Sequence, residues 1–295
     1  MTDMAARETL FANTPAAPKP RRWWRDRLTL SLGGLVLLIS AGLAAPLIAP
    51  HDPNTTNMLA RMEPPVWLGG TWTHVLGTDQ IGRDLLSRTL HGIRTSFGIA
   101  AFGLVFSAVF GIGLGLVAGF FGSWVDRAIM MFTDIFISLP NLLLILCGIA
   151  ILGTQTWVLV LMIGLVRWEA YARLVRERVL SMRDVGYVES ARVLGAGALW
   201  IGRKHLLPNL ASPLIVALTL SFPGVLLMEA GLSFLGVGVQ PPTSSLGRMI
   251  GDGRNYLVNA WWIAGIPSIA VVTIVLMFQI AGDAIRDRLD QVTDD

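Results

Sequence analysis

Residues 95–120 read TSFGIAAFGLVFSAVFGIGLGLVAGF, without one ionisable side chain. As a helix this stretch would rise about 39 Å, enough to cross roughly 30 Å of hydrocarbon with some tilt. Gly103, Gly111, Gly113, Gly115 and Gly119 give it small residues at spacings that let helices approach closely in lipid. The whole chain agrees with a membrane class. Of 295 residues, 53% are hydrophobic and only 15% charged, where a soluble domain carries about 25% charged residues.

Five further apolar runs flank this one. The first covers about 28–49, and a signal peptide is disfavoured there because the run is too long and the tail before it too extended. The others cover about 128–152, interrupted by Pro140; 156–175; 210–235, interrupted by Pro213 and Pro223; and 260–280. The expected fold is therefore all-α and polytopic, with six transmembrane helices. Residues 1–27 form a tail with a basic, Trp-bearing end suited to the membrane interface, 28–290 a single transmembrane domain, and 291–295 a short tail. No internal repeat and no soluble domain is visible.

The basic residues set an orientation. One side of the six-span layout holds 16 of the 23 Arg and Lys residues, the other holds six, and Arg167 falls within the fourth span. The richer side is expected to be cytoplasmic. Both termini and the charged segment 176–208 then lie on the cytoplasmic side of a bacterial cytoplasmic (inner) membrane.

The chain shows no chemistry of its own. A phosphate-cradling loop needs a Gly-Lys-Ser/Thr element, and neither Lys19 nor Lys204 follows a glycine. His51, His74, His91 and His205 are not at metal-ligand spacings, and Cys147 is the only cysteine. No nucleophile–base arrangement stands out. No metal or cofactor is expected on the chain, and its weakly basic charge gives no reason to invoke nucleic acid. Uphill transport would draw on an ion gradient or on a partner.

The segment between spans four and five discriminates between those sources. Val185 to Leu194 can form a short helix that Gly195 would end, and Pro208 would open the next span. Val188, Ala191 and Leu194 then need a cover, either a groove on a partner protein or lipid headgroups. Composition leaves both open.

Glu189-Ser190-Ala191-Arg192, Gly195 and the later Leu207-Pro208 resemble the EAA loop of bacterial ABC importer permeases, with Ser190 in place of an alanine. Further stretches are similar to the dipeptide/oligopeptide (peptide/nickel) permease family. These are His74 to Arg88, Gly119 to Asp126, Tyr171 to Arg176, and Ser233 to Thr243. Leu246 stands where that family often has tryptophan. The resemblance runs from about 28 to 290 and implies a type I ABC importer permease. Val188, Glu189, Ser190, Ala191, Arg192, Leu194, Gly195, Leu207 and Pro208 would then couple to an ATPase. The implied partners are a related second permease subunit in a heterodimer, two ATP-binding subunits that hold ATP and Mg, and an extracytoplasmic solute-binding protein. The implied cargo is a di- or oligopeptide, with nickel, glutathione or opines as alternatives. A secondary transporter or channel is the more remote reading, opposed by the docking loop and by the absence of paired repeats.

Ionisable groups at membrane depth are functional candidates by default. Arg167 and Glu169 lie near the middle of span four, two residues apart and so facing different directions. Asp134 in span three is a candidate partner for Arg167. Glu229, in the outer part of span five, is a candidate interfacial or pathway residue.

Overall fold

A computed structural model describes residues 23–183, 195, 197, 200 and 202–294. Among these the architecture is helical, with one isolated bridge between Thr78 and Asp84. Helix α1 (Trp23–Leu43) begins inside the predicted tail and, after a turn at Ala44, continues as α2 (Ala45–Ile48). The long central helix α3 (Leu85–Phe121) starts ten residues before the apolar run, because Asp84 caps it: one carboxylate oxygen accepts from Ser87 N at 2.8 Å.

The third predicted span is two helices, α4 (Ser123–Ser138) and α5 (Asn141–Leu152), bent by 92°. Proline causes the break. Leu139, held extended at φ −95° and ψ 138°, precedes Pro140, which cannot continue the hydrogen-bond ladder. The fourth predicted span is also broken, into α6 (Thr156–Leu165) and α7 (Trp168–Arg183), with Val166 and Arg167 between them.

The fifth predicted span behaves otherwise. Helix α8 (Leu207–Phe234) runs unbroken through Pro213 and Pro223. Pro223 is buried, and surrounding helices tolerate the lost backbone bonds as they often do in membrane bundles. A short helix α9 (Leu246–Gly253) precedes α10 (Trp262–Asp294), which extends through the predicted C-terminal tail. By length and apolarity α3, α8 and the span part of α10 can each cross a membrane, and the bent pair α4–α5 can supply a fourth crossing.

Helix α3 is the mast of the bundle and packs against α1, α4, α6, α7 and α8. Its glycines explain how α6 and α7 come so close. A Cβ on Gly111 would stand 2.3 Å from Trp168 O, one on Gly115 2.6 Å from Ala172 O, and one on Gly119 2.7 Å from Val179 Cβ. These glycines repeat every four residues and so share one face. Gly113 points elsewhere and would meet nothing within 4 Å. Large apolar side chains such as Phe102, Val109, Leu143, Ile151 and Ile269 face outward, as lipid-facing positions do.

At the N-terminal end of α3, residues 50–84 fold into a cap with 3₁₀ turns at Met58–Ala60, Val66–Leu68 and Trp72–His74. It packs with α9 and the start of α10 around Leu85, Met249, Ala260, Trp262 and Ile263. Asp79 bonds Arg83 at 2.6 Å and lies 3.4 Å from Arg88. His51 and His74, far apart along the chain, both reach Asp84 here. Their sequence spacing gave no sign of this meeting.

Candidate functional site: a broken helix and the lever that leads from it

The break between α6 and α7 gathers Arg167, Trp168 and Glu169. Arg167 faces α8, where a Cβ on Gly224 would stand 2.6 Å from its Nη2. The absent side chain at Gly224 makes room for the guanidinium. Trp168 is fully buried among Phe110, Phe132 and Phe136, with ring centroids 5.5, 5.8 and 5.6 Å away. Glu169, one position on, has a buried Oε2 without a hydrogen-bond partner among the described residues.

The expected Asp134–Arg167 pair is not formed. Asp134 instead accepts from Arg173 Nη2 at 2.6 Å. The reason is geometric: Arg167 sits in the break and turns toward α8, while Arg173 lies farther along α7 against α4. A second pair joins the same helices. Arg176 binds Asp126 through two parallel hydrogen bonds, Nη2 to Oδ2 at 2.6 Å and Nε to Oδ1. This fork is the more sheltered, with side chains 28% and 14% exposed against 44% and 67% for Arg173 and Asp134. Sequence reasoning singled out neither pair. The available signal was spacing: Asp126 and Asp134 share a face of α4, and Arg173 and Arg176 share a face of α7.

Helix α7 is thus held on two sides. Tyr171, Ala172, Val175 and Val179 are buried, all four against the glycines of α3, and the two arginines clip α7 to α4. The far end of α7, Arg183, leads directly into the segment expected to couple to an ATPase.

Of that segment, Val188, Glu189, Ser190, Ala191, Arg192 and Leu194 lie outside the described residues. Gly195 has φ +85°, the left-handed conformation in which glycine ends helices. Lys204 Nζ lies 5.2 Å from the Trp200 ring centroid. A π turn over Gly202–Leu206 then feeds α8, whose first residues Leu207 and Pro208 are exposed while Leu206 is buried.

Glu229 is neither interfacial nor open to a path. It is fully buried, and its Oε1 accepts from Ser233 Oγ at 2.8 Å. The Ser96 and Ser245 hydroxyls lie against the same carboxyl. Ser233 Oγ in turn accepts from Val239 N, and Ser96 Oγ from Leu246 N. The carboxyl therefore ties α3, α8 and the start of α9 together. It is a packing centre of the bundle.

The described contacts run from Arg183 along α7 to the break at Arg167, and through the two ion pairs to α4.

Known proteins share this layout. The chain is 42% identical to the di/tripeptide transport system permease protein DppC of Pseudomonas aeruginosa, covering 88% of this chain and 87% of that relative. It is 36% identical to the dipeptide transport system permease protein DppC of Haemophilus influenzae, over 96% and 98% of the two chains. It is 35% identical to the glutathione transport system permease protein GsiD of Pectobacterium atrosepticum, over 92% and 89%. Among solved structures, an inward-facing chain of the MetNI methionine ABC transporter superposes with a TM-score of 0.53 at 23% identity, covering 68% of this chain and 95% of that one. That likeness establishes the type I importer permease fold. Residues 111–294 match the family described as binding-protein-dependent transport system inner membrane component. With relatives this similar over nearly its full length, the chain belongs to that family, as a permease component of an ABC importer.

Proposed function

We propose that the chain forms one half of the translocation path of an importer for di- or oligopeptides. The observation that carries the substrate class is the 42% identity, over 88% of the chain, to a di/tripeptide permease. In this reading a related second permease completes the path. Two ATP-binding subunits dock at the segment around Glu189–Gly195, and an extracytoplasmic binding protein delivers solute to the cap. Both termini lie in the cytoplasm, in accord with the excess of basic residues on that side. ATP and Mg are held by the partners. Closure of the ATPases moves the docking segment, α7 carries the movement, and the broken helices re-pack to switch access. The forked Arg176–Asp126 pair and the close α3–α7 contact support a lever of this kind.

A glutathione importer is the second reading, supported by the 35% identity to the Pectobacterium permease. Uptake assays separate the two. Deletion of this gene alone is expected to abolish uptake of a labelled dipeptide, and the intact gene to restore it. Peptide uptake that survives deletion while glutathione or nickel uptake is lost rejects the peptide reading.

A further inference from the structure

The cap over the start of α3 contains a side-chain cluster to which the transport reading gives no role. His51 follows α2, His74 ends the Trp72–His74 turn, and Asp84 caps α3. One ligand atom from each lies within 4.8 Å of the other two. His74 Nδ1 is 2.9 Å from Asp84 Oδ1, and His51 Nδ1 is 3.8 Å from the same oxygen. The imidazole centroids are 4.9 Å apart.

A hydrogen-bonded pair accounts for only part of this. His74 Nδ1 and Asp84 satisfy each other, but His51 Nδ1 is shielded from solvent and has no hydrogen-bond partner among the described residues. Asp84 has a side chain only 1% exposed, and among the described residues its only ion-pair partners are these two imidazoles. The nearby Arg88 is engaged by Asp79 and by Pro53 O. A buried carboxylate facing two imidazole nitrogens calls for positive charge at their common focus.

We propose that His51, His74 and Asp84 bind a divalent transition metal ion of the zinc type. A point equidistant from atoms so spaced lies within about 2.4 Å of each, so contraction by a few tenths of an ångström gives zinc bonds of about 2.0–2.2 Å. Two imidazoles and one carboxylate suit zinc, whereas calcium and magnesium prefer sets made only of oxygen. The outer contacts hold the ligands in place. Asp84 Oδ2 accepts from Ser87 N at 2.8 Å, and Ser87 Oγ accepts from His51 N at 3.1 Å. Three protein ligands leave a fourth position of the tetrahedron. Water, or a donor atom from a docked protein, fits there. The ion would staple the chain after α2 and the 3₁₀ turn to the first turn of α3.

The test uses the full-length chain purified from membranes with the subunits that accompany it, stripped with chelator and re-equilibrated with zinc. After gel filtration, metal analysis is expected to find one zinc more per copy of wild-type chain than of His51→Gln or Asp84→Asn. Titration should place zinc binding at least about 10–100-fold weaker in both variants, because a lost ligand costs no less than a lost outer-shell partner. Zinc should also shield His51 and His74 of the wild type from acylation by diethyl pyrocarbonate, read by peptide mass spectrometry, while magnesium should not. This second measurement needs no variant and holds if a substituted chain fails to fold. Equal zinc content in wild type and His51→Gln, or unchanged acylation of the two histidines in zinc, overturns the proposal.

Discussion

Alanine at Gly111 and at Gly113 of α3 should have opposite consequences, although the two positions are two residues apart and both helical. A Cβ at Gly111 would stand 2.3 Å from Trp168 O and 2.8 Å from Tyr171 Cβ. Neither atom is the end of a flexible side chain, so α3 and α7 must separate by about an ångström to restore van der Waals distance. Overpacking of this kind costs about 1–3 kcal/mol, and the better helix propensity of alanine returns at most about 1 kcal/mol. The net expectation is a loss of about 1–2 kcal/mol. For a chain of this size that lowers the melting temperature by about 2–4 °C per kcal/mol. At Gly113 a Cβ meets nothing within 4 Å, so Gly113→Ala should be neutral or slightly stabilising. The assay is thermal unfolding of detergent-solubilised protein, followed by loss of the monodisperse peak in size exclusion. Equal destabilisation by the two substitutions would refute the assignment of the Gly111–Gly115–Gly119 face to α7, and with it the close packing on which the lever depends.

Two further predictions concern the lever and its end. Asp126→Asn should reduce transport well below the level of Asp134→Asn, because the Arg176 fork is bidentate and sheltered while Asp134 is two-thirds exposed and its pair is worth about 0–1 kcal/mol. Arg176→Lys should not restore the fork, and equal initial uptake rates in all three variants would show that these contacts do not transmit movement. At Gly195, with φ +85° and open space around its α-carbon, alanine adds only backbone strain of about 1–2 kcal/mol, while aspartate adds a charge as well. Gly195→Asp and Glu189→Lys should still insert yet lose solute-stimulated ATP hydrolysis in liposomes with the binding protein, Gly195→Ala should be milder, and near-normal stimulation in all three would reduce the segment to an amphipathic surface loop.

Which features were legible in the sequence follows from the range of the physics behind them. The apolar runs were visible because crossing a bilayer is a requirement on consecutive residues, and α3, α8 and α10 contain the runs expected of them. Proline was ambiguous for the same reason: its missing N–H is local, but whether the helix stops depends on what packs around it. Pro140 breaks α4 from α5, whereas Pro223, buried in the bundle, leaves α8 intact. Arg167 stood out as a charge within span four, but neither the break there nor its partner could be read, since pairing depends on how α7 crosses α4 and α8. The crossing gave Asp134 to Arg173 and Gly224 to Arg167. Glu229 looked interfacial because its depth was counted along one helix, while its hydroxyl partners come from α3, from α8 and from the residue before α9. His51 and His74 escaped notice for the same cause, being 23 residues apart and joined only by the folding of the cap. The misread polar residues, Arg167, Glu229 and the two histidines, all have neighbours on other elements. For a chain of this class, hydropathy therefore locates the helices, and the buried polar contacts carry the information about how they cross.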